Sequence, residues 1–199
     1  MEIGDAPNAE GLRERKHRET QRRIVESGMR LFTANGYEAT TVDAIAAEAG
    51  ISRRTFFHYF KTKDEILLSL QGTYDDAVAA AVAAQPPDLS PLETTRNALL
   101  AVFSTIHPEE MLAIDRLMRS SALVQASKQA SYARSETVLF TALVRKCPAP
   151  EMVLRLAAMQ AVGVSRLAVE AWSKAADGRP LIDFLREGFE ALDLAHASR

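Results

Sequence analysis

The sequence predicts an all-α chain of about nine helices, and three observations carry that prediction. Apolar residues recur at steps of three and four from Glu19 onward. No segment alternates with the period of two that a half-buried strand needs, and no internal repeat is present. Capping residues, glycines and prolines cut the helical pattern into pieces of ordinary helix length.

Residues 1–12 are small, polar and without periodicity, which predicts a disordered tail. Arg13-Glu14-Arg15-Lys16-His17-Arg18 is a mixed, mostly basic run. It fits the solvated start of a helix or an arm on phosphate or a minor groove, and its place upstream of the motif below favours the arm. From about Glu19 to Asn35, Ile24, Gly28, Leu31 and Phe32 form one helical stripe, which Asn35-Gly36 stops. Thr40-Thr41 with Asp43 behind it is the capping signal of a second helix, in which Val42, Ile45, Ala46 and Ala49 share an apolar face. Gly50 ends that helix, because a left-handed residue there carries no Cβ penalty. Ser52 then stands as the N-cap of a third helix bearing Arg53, Arg54, Thr55, Phe57, His58 and Tyr59. Two helices across a Gly-containing turn make a helix-turn-helix, whose second helix enters the DNA major groove. Phe56 and Phe60, four apart, are predicted to plug the core of this unit rather than touch DNA. The expected DNA-binding domain spans 13–62.

Thr62-Lys63-Asp64-Glu65 reads as a capping box opening a helix with no breaker except Gly72 until Pro86-Pro87. Ile66, Leu67, Leu70, Tyr74, Ala77, Ala81 and Val82 follow helical spacing along it, so 63–85 is expected as a connecting rod, a lever between two domains. The remaining 86–199 is expected as a C-terminal regulatory and dimerisation domain. Ser90-Pro91-Leu92-Glu93 combines a cap, a proline at the first helical position and a capping-box Glu. Further helices follow from Pro108 to about Arg119 and from about Ser121 to Lys146, and Pro150 opens one to about Ala175. That helix is apolar nearly all round and is expected to be buried on nearly all sides. A last amphipathic helix begins at Pro180, with Leu181, Leu185, Phe189 and Leu192 on one stripe.

Composition is that of an ordinary globular chain of 199 residues with a formal charge of −2. Residues 1–63 hold eleven Lys and Arg against nine Asp and Glu, and residues 64–199 hold thirteen against seventeen. The acidic excess therefore lies away from the proposed DNA surface. No run approaches the ~18 consecutive apolar residues of a membrane span. The N-terminus lacks a signal-peptide core, and the single Cys147 can form no internal disulfide, so the expected compartment is the cytoplasm. No cofactor-binding glycine loop, nucleophile elbow or HExxH is present, and the four histidines lack metal-ligand spacing. The reading is of no enzyme, no metal and no cofactor.

The run Gly36-Tyr37, Thr40-Thr41-Val42, Ile45-Ala46, Ala49-Gly50-Ile51-Ser52, Thr55-Phe56-Phe57-His58-Tyr59-Phe60 and Lys63-Asp64-Glu65-Ile66-Leu67 resembles the N-terminal domain of TetR/AcrR-type transcriptional regulators over about residues 14–70. The resemblance implies a homeodomain-like three-helix head and a C-terminal helical domain for ligand binding and dimerisation. It also implies a homodimer joined through the last two helices, and a small-molecule effector whose entry moves helix 4 and spreads the two heads. It puts Thr41 against phosphate, Arg53, Arg54 and Phe57 toward base edges, Thr55, His58 and Tyr59 at the backbone or groove wall, and Lys63 on phosphate. Ser52 at the cap, and Arg15 and Arg18 upstream, complete the expected DNA-binding set. Many members carry a small residue or Gly where Arg54 stands, so the adjacent arginines fit either two guanine contacts or one guanine and one phosphate contact.

Phe103, His107, Met111, Arg116, Met118, Phe140, Met159 and Trp172 lie on the helices that line cavities in the resembled family, and they are the candidate ligand residues. Methionines and aromatics suit an adaptable apolar site as well as plain core. The expected function is a homodimeric repressor released from a palindromic operator by a small, largely apolar ligand. A ligand-independent repressor or activator of the same fold is the alternative, and an all-helical enzyme or scaffold a remote one.

Overall fold

The computed structural model describes residues 9–105, 108–175 and 177–197. These residues form nine helices and no strand: α1 (Ala9–Asn35), α2 (Val42–Glu48), α3 (Arg53–Tyr59), α4 (Asp64–Ala84), α5 (Pro91–Phe103), α6 (Pro108–Ser120), α7 (Ala122–Lys146), α8 (Glu151–Ala175) and α9 (Leu181–Ala197). The chain divides into two compact units, Met1–Ser69 and Leu70–Arg199, with the division inside α4.

In the first unit α1 starts at Ala9, so residues 9–18 are helical where the sequence reading placed a tail and then a basic run. Leu12 to Ser27 holds no glycine or proline and many Arg, Glu and Lys, which are good helix formers, so nothing stops the helix before its apolar stripe begins. Ile24 and Phe32 of that stripe are buried with Ile45 and Ala46 of α2, Ala49 just beyond it, Phe56 and Phe60, and Ile66 and Leu67 of α4. Gly28 is there for space: a Cβ on it would stand 2.9 Å from Cδ1 of Ile66. Arg30 ties α1 to α2 through Glu48 at 3.2 Å. The capping box expected at Thr62 does not form as written; Glu65 instead accepts from the backbone N–H of Lys61 at 2.7 Å, and the helix begins at Asp64.

In the second unit the capping box of α5 forms as its sequence indicates, with Ser90 and Glu93 each accepting from the other's backbone N–H. Val78 and Val82 of α4, Ala98 and Leu99 of α5, Leu139 and Leu143 of α7, Ala157, Ala158 and Ala161 of α8 and Phe189 of α9 build one core. Ala168 and Trp172 of α8 with Leu181, Phe184 and Leu185 of α9 build a second. The expectation for α8 needs correction. One side is buried, but Met152, Leu156, Met159 and Leu167, at steps of four, three and eight, are exposed. A helix apolar on both sides has its second side uncovered within one chain. By length and composition α8 is also apolar enough to cross a membrane, a criterion that core helices of soluble proteins meet as well.

Candidate nucleic-acid interface

The turn between α2 and α3 is built from local hydrogen bonds. Thr41 Oγ1 accepts from the N–H of Ala44 at 3.1 Å and so caps α2. At the other end Gly50 has φ +64°, the left-handed conformation that favours glycine. That reversal lets the N–H of Gly50 reach the carbonyl of Ala47 at 3.0 Å and that of Ile51 reach Ala46 at 2.9 Å. Ser52 Oγ then accepts from the N–H of Thr55 at 3.0 Å and starts α3. Thr40 is buried, with its hydroxyl donating to the carbonyl of Gly36 at 2.8 Å.

This turn orients a seven-residue helix with one buried anchor. Phe56 is 0% exposed and packs beside Phe60 at 6.0 Å between ring centroids. With Phe56 inward, Arg53, Arg54, Phe57 and His58 are exposed, Phe57 to 45%, and Thr55 and Tyr59 are half-buried. Ser52 and Thr41 are exposed too, with their hydroxyls engaged in capping. Arg53 Nη1 lies 2.6 Å from Oδ2 of Asp43, and its guanidinium carbon stands 5.5 Å from the centre of the Phe57 ring. Arg15 and Arg18 are exposed on α1.

The sequence reading missed two features of this surface. His17 of α1 stacks on Tyr59 of α3 at 4.5 Å between centroids and meets His58 edge-on at 6.3 Å. The only sequence signal was its place in the basic run, which carries no information about a stacking partner. Lys63 is the second. Its ammonium donates to the carbonyls of Tyr37 at 2.7 Å, Thr40 at 3.1 Å and Glu38 at 3.4 Å, and lies 4.2 Å from the centre of the Tyr37 ring. Three donors on three carbonyls of the α1–α2 loop make it a lock on that loop, where the resemblance had put it on phosphate.

Of the candidate ligand residues, Phe103 packs against both cores, the one that Phe140 borders and the one that holds Trp172, whereas Arg116 and Met159 are exposed. Phe103 is half-buried and stacks parallel to Tyr74 at 6.3 Å. Phe140 is half-buried under the guanidinium of Arg155 at 4.2 Å and borders a hollow of about 660 Å³ with Val144, Cys147 and Leu154. Trp172 is buried, its Nε1–H donating to the carbonyl of Arg179 at 3.0 Å. Met118 is half-buried, Arg116 exposed, and Met159 53% exposed on the outward stripe of α8. His107 lies outside the described residues, as does the side chain of Met111. A groove of about 530 Å³ between α4 and α7, lined by Ala79, Ala83, Thr137, Thr141, Ala142 and Arg145, holds none of these candidates. Among the described residues no three His, Cys, Asp or Glu side chains gather as a metal site would require.

The family of bacterial regulatory proteins called tetR matches residues 24–70, and the MftR C-terminal domain matches residues 89–196. The chain is similar to TcmR of Streptomyces glaucescens, an HTH-type transcriptional regulator, at 37% identity over 109 residues, 55% of this chain and 48% of TcmR. It therefore spans about half the length of that relative. It is 28% identical over 171 residues to MftR of Mycobacterium tuberculosis, a transcriptional regulator named for mycofactocin biosynthesis, covering 79% of this chain and 82% of MftR. Its fold is shared with FadR of Thermus thermophilus, a TetR-family transcriptional repressor in complex with lauroyl-CoA, at a TM-score of 0.58 and 21% identity over 90% of this chain and 96% of FadR. With one domain matched over the helix-turn-helix and another over more than half the chain, this protein belongs to the TetR family of bacterial transcriptional regulators.

Proposed function

We propose that the chain is a cytoplasmic, homodimeric repressor that grips a palindromic operator with α3 and leaves it when a small, largely apolar ligand binds. The observation that carries this reading is the division of α3. Phe56 anchors it, while Arg53, Arg54, Phe57 and His58 stand in solvent beyond a capped turn. Arginine pairs bidentately with guanine O6 and N7, and an aromatic edge suits a thymine methyl. In this reading Arg53, Arg54 and Phe57 read bases, Ser52, Thr55, His58 and Tyr59 meet the backbone or groove wall, and Thr41, Arg15 and Arg18 hold phosphate.

The uncovered apolar stripe of α8, with Leu194 exposed on α9, supports a second copy packing there. A two-fold dimer demands a two-fold operator with recognition helices about 34–36 Å apart. The apolar effector is supported by the aromatic side chains Phe103, Phe140 and Trp172 in the helical unit, and by the acyl-CoA bound to FadR. The test is equilibrium binding of the full chain to a duplex it selects from a randomised library, measured against the unselected library. Arg53→Ala is expected to cost about 1–3 kcal/mol on the selected duplex and relax one base position. Equal losses on both DNAs would make Arg53 a phosphate contact, and binding without salt dependence would defeat the reading.

A further inference from the structure

We infer that Asp43 is a specificity-determining residue of the DNA-reading surface, acting through Arg53. The inference rests on α3 being the helix that reads DNA. A carboxylate on a DNA-binding face needs a reason, because it repels phosphate. Asp43 lies in the first turn of α2, where a carboxylate suits the helix dipole, but the cap itself is the hydroxyl of Thr41, and the N–H of Ile45 goes to the carbonyl of Thr41 at 3.1 Å. The carboxylate of Asp43 goes instead to Nη1 of Arg53 at 2.6 Å, with the Phe57 ring near the same guanidinium. Arg53 is the first residue of α3, where a cation opposes the helix dipole, so the carboxylate also balances a charge the helix end disfavours.

Relative magnitudes give this pair its function. Both partners are well exposed, at 60% and 62%, and an exposed ion pair shifts an equilibrium by about fivefold at most. A single phosphate contact follows a log–log salt slope of about −0.9, which is again about fivefold between roughly 1 M and 0.15 M salt. A bidentate guanine contact discriminates by about 5- to 150-fold. Asp43 therefore competes on equal terms with phosphate for Arg53, whereas guanine O6 and N7 can be met through Nε and Nη2, away from the Nη1 that the carboxylate holds. On random DNA the carboxylate and phosphate divide the arginine, and on the right base the arginine is shared, with the ion pair kept. The pair weakens indiscriminate binding while leaving base reading intact, which is how a repulsive element raises specificity.

The experiment measures the full chain at about 0.15 M salt on two probes, the duplex that wild type selects from a randomised library and the unselected library itself. Asp43→Ala is expected to tighten binding to the unselected library by about two- to fivefold without strengthening the selected duplex, narrowing the preference at least twofold. In the Arg53→Ala background the same substitution is expected to move both probes by one common factor. An unchanged preference after Asp43→Ala overturns the inference. So does a preference that narrows as much without Arg53, or a fall in unfolding midpoint with equal losses on both probes. If wild type enriches no duplex at all, the DNA-reading assignment of α3 fails, and that is visible before any substitution is made.

Discussion

Lys63 offers the sharpest test of how this head is held, because two jobs have been placed on one ammonium. The resemblance directs it to phosphate; the geometry directs it to the carbonyls of Tyr37, Thr40 and Glu38. Hydrogen bonds from a charged donor contribute about 1.5–3 kcal/mol each. The 3.4 Å bond is long and adds little, and the half-buried side chain argues for the low end of that range on the other two. The Tyr37 ring adds about 0.5–1 kcal/mol. After allowing for water that replaces the ammonium at exposed carbonyls, Lys63→Met is expected to destabilise the protein by about 2–3 kcal/mol. For a chain of this size that is a fall of roughly 4–12 °C in midpoint. Thermal unfolding followed by circular dichroism measures it, and amide exchange at residues 37–44 localises it. Salt titration of DNA binding supplies the control, since a loop lock leaves the slope unchanged while a phosphate contact lowers it by about 0.9. Wild-type unfolding together with a reduced slope refutes the lock and returns Lys63 to the DNA surface.

Two further expectations come from the second unit. Leu156→Glu places an unpaired carboxylate in the middle of the exposed stripe of α8, and sedimentation velocity at micromolar concentration is expected to move from dimer to monomer with helicity retained; an unchanged sedimentation coefficient sinks the α8 interface. The hydroxyl and then the backbone N–H of Ser90 hydrogen-bond the carboxylate of Glu93 and hold it below the usual carboxylate range. A lowered folded-state value means the unfolded chain binds the proton more readily, so this stabilisation is present above the ordinary carboxylate value and is lost as pH falls through the folded one. The stability gap between wild type and Glu93→Gln is therefore expected to be widest at neutral pH and to close in acid, as urea unfolding at several pH values will read; a gap independent of pH would exclude the charge.

What the sequence made legible was local. Ser52, Thr41 and the Ser90–Glu93 pair cap helices because a short polar side chain, placed before an apolar period, has a nearby backbone N–H to satisfy. Gly50 and the inward Phe56 follow from equally short-range rules. Apart from the early start of α1 at Ala9, the misses were questions of partner. Glu65 matched the spacing of a capping box, yet the chain bends so that the N–H of Lys61 is the donor it meets. Nothing within a few residues of His17 or Lys63 says that Tyr59 or the carbonyl of Tyr37 will lie beside them, since those partners come from loops and helices more than twenty residues away.

The same distinction bears on α8, where periodicity identifies apolar residues but not what covers them. Leu154, Ala158 and Ala161 meet α5, α7 and α9 in the same chain. Met152, Leu156, Met159 and Leu167 carry as strong an apolar signal and meet nothing that would bury them. At about 25 cal/mol per Å² of apolar surface, burying four such side chains is worth several kcal/mol, enough that an unpaired stripe is a standing drive toward association. Met159 illustrates the consequence for site prediction. By sequence a methionine on an apolar helix suits an interior pocket as well as an outer face, because periodicity does not separate the two, and Met159 stands 53% exposed on the outward stripe. Residues that face the other way, Trp172 among them, are packed inside the unit.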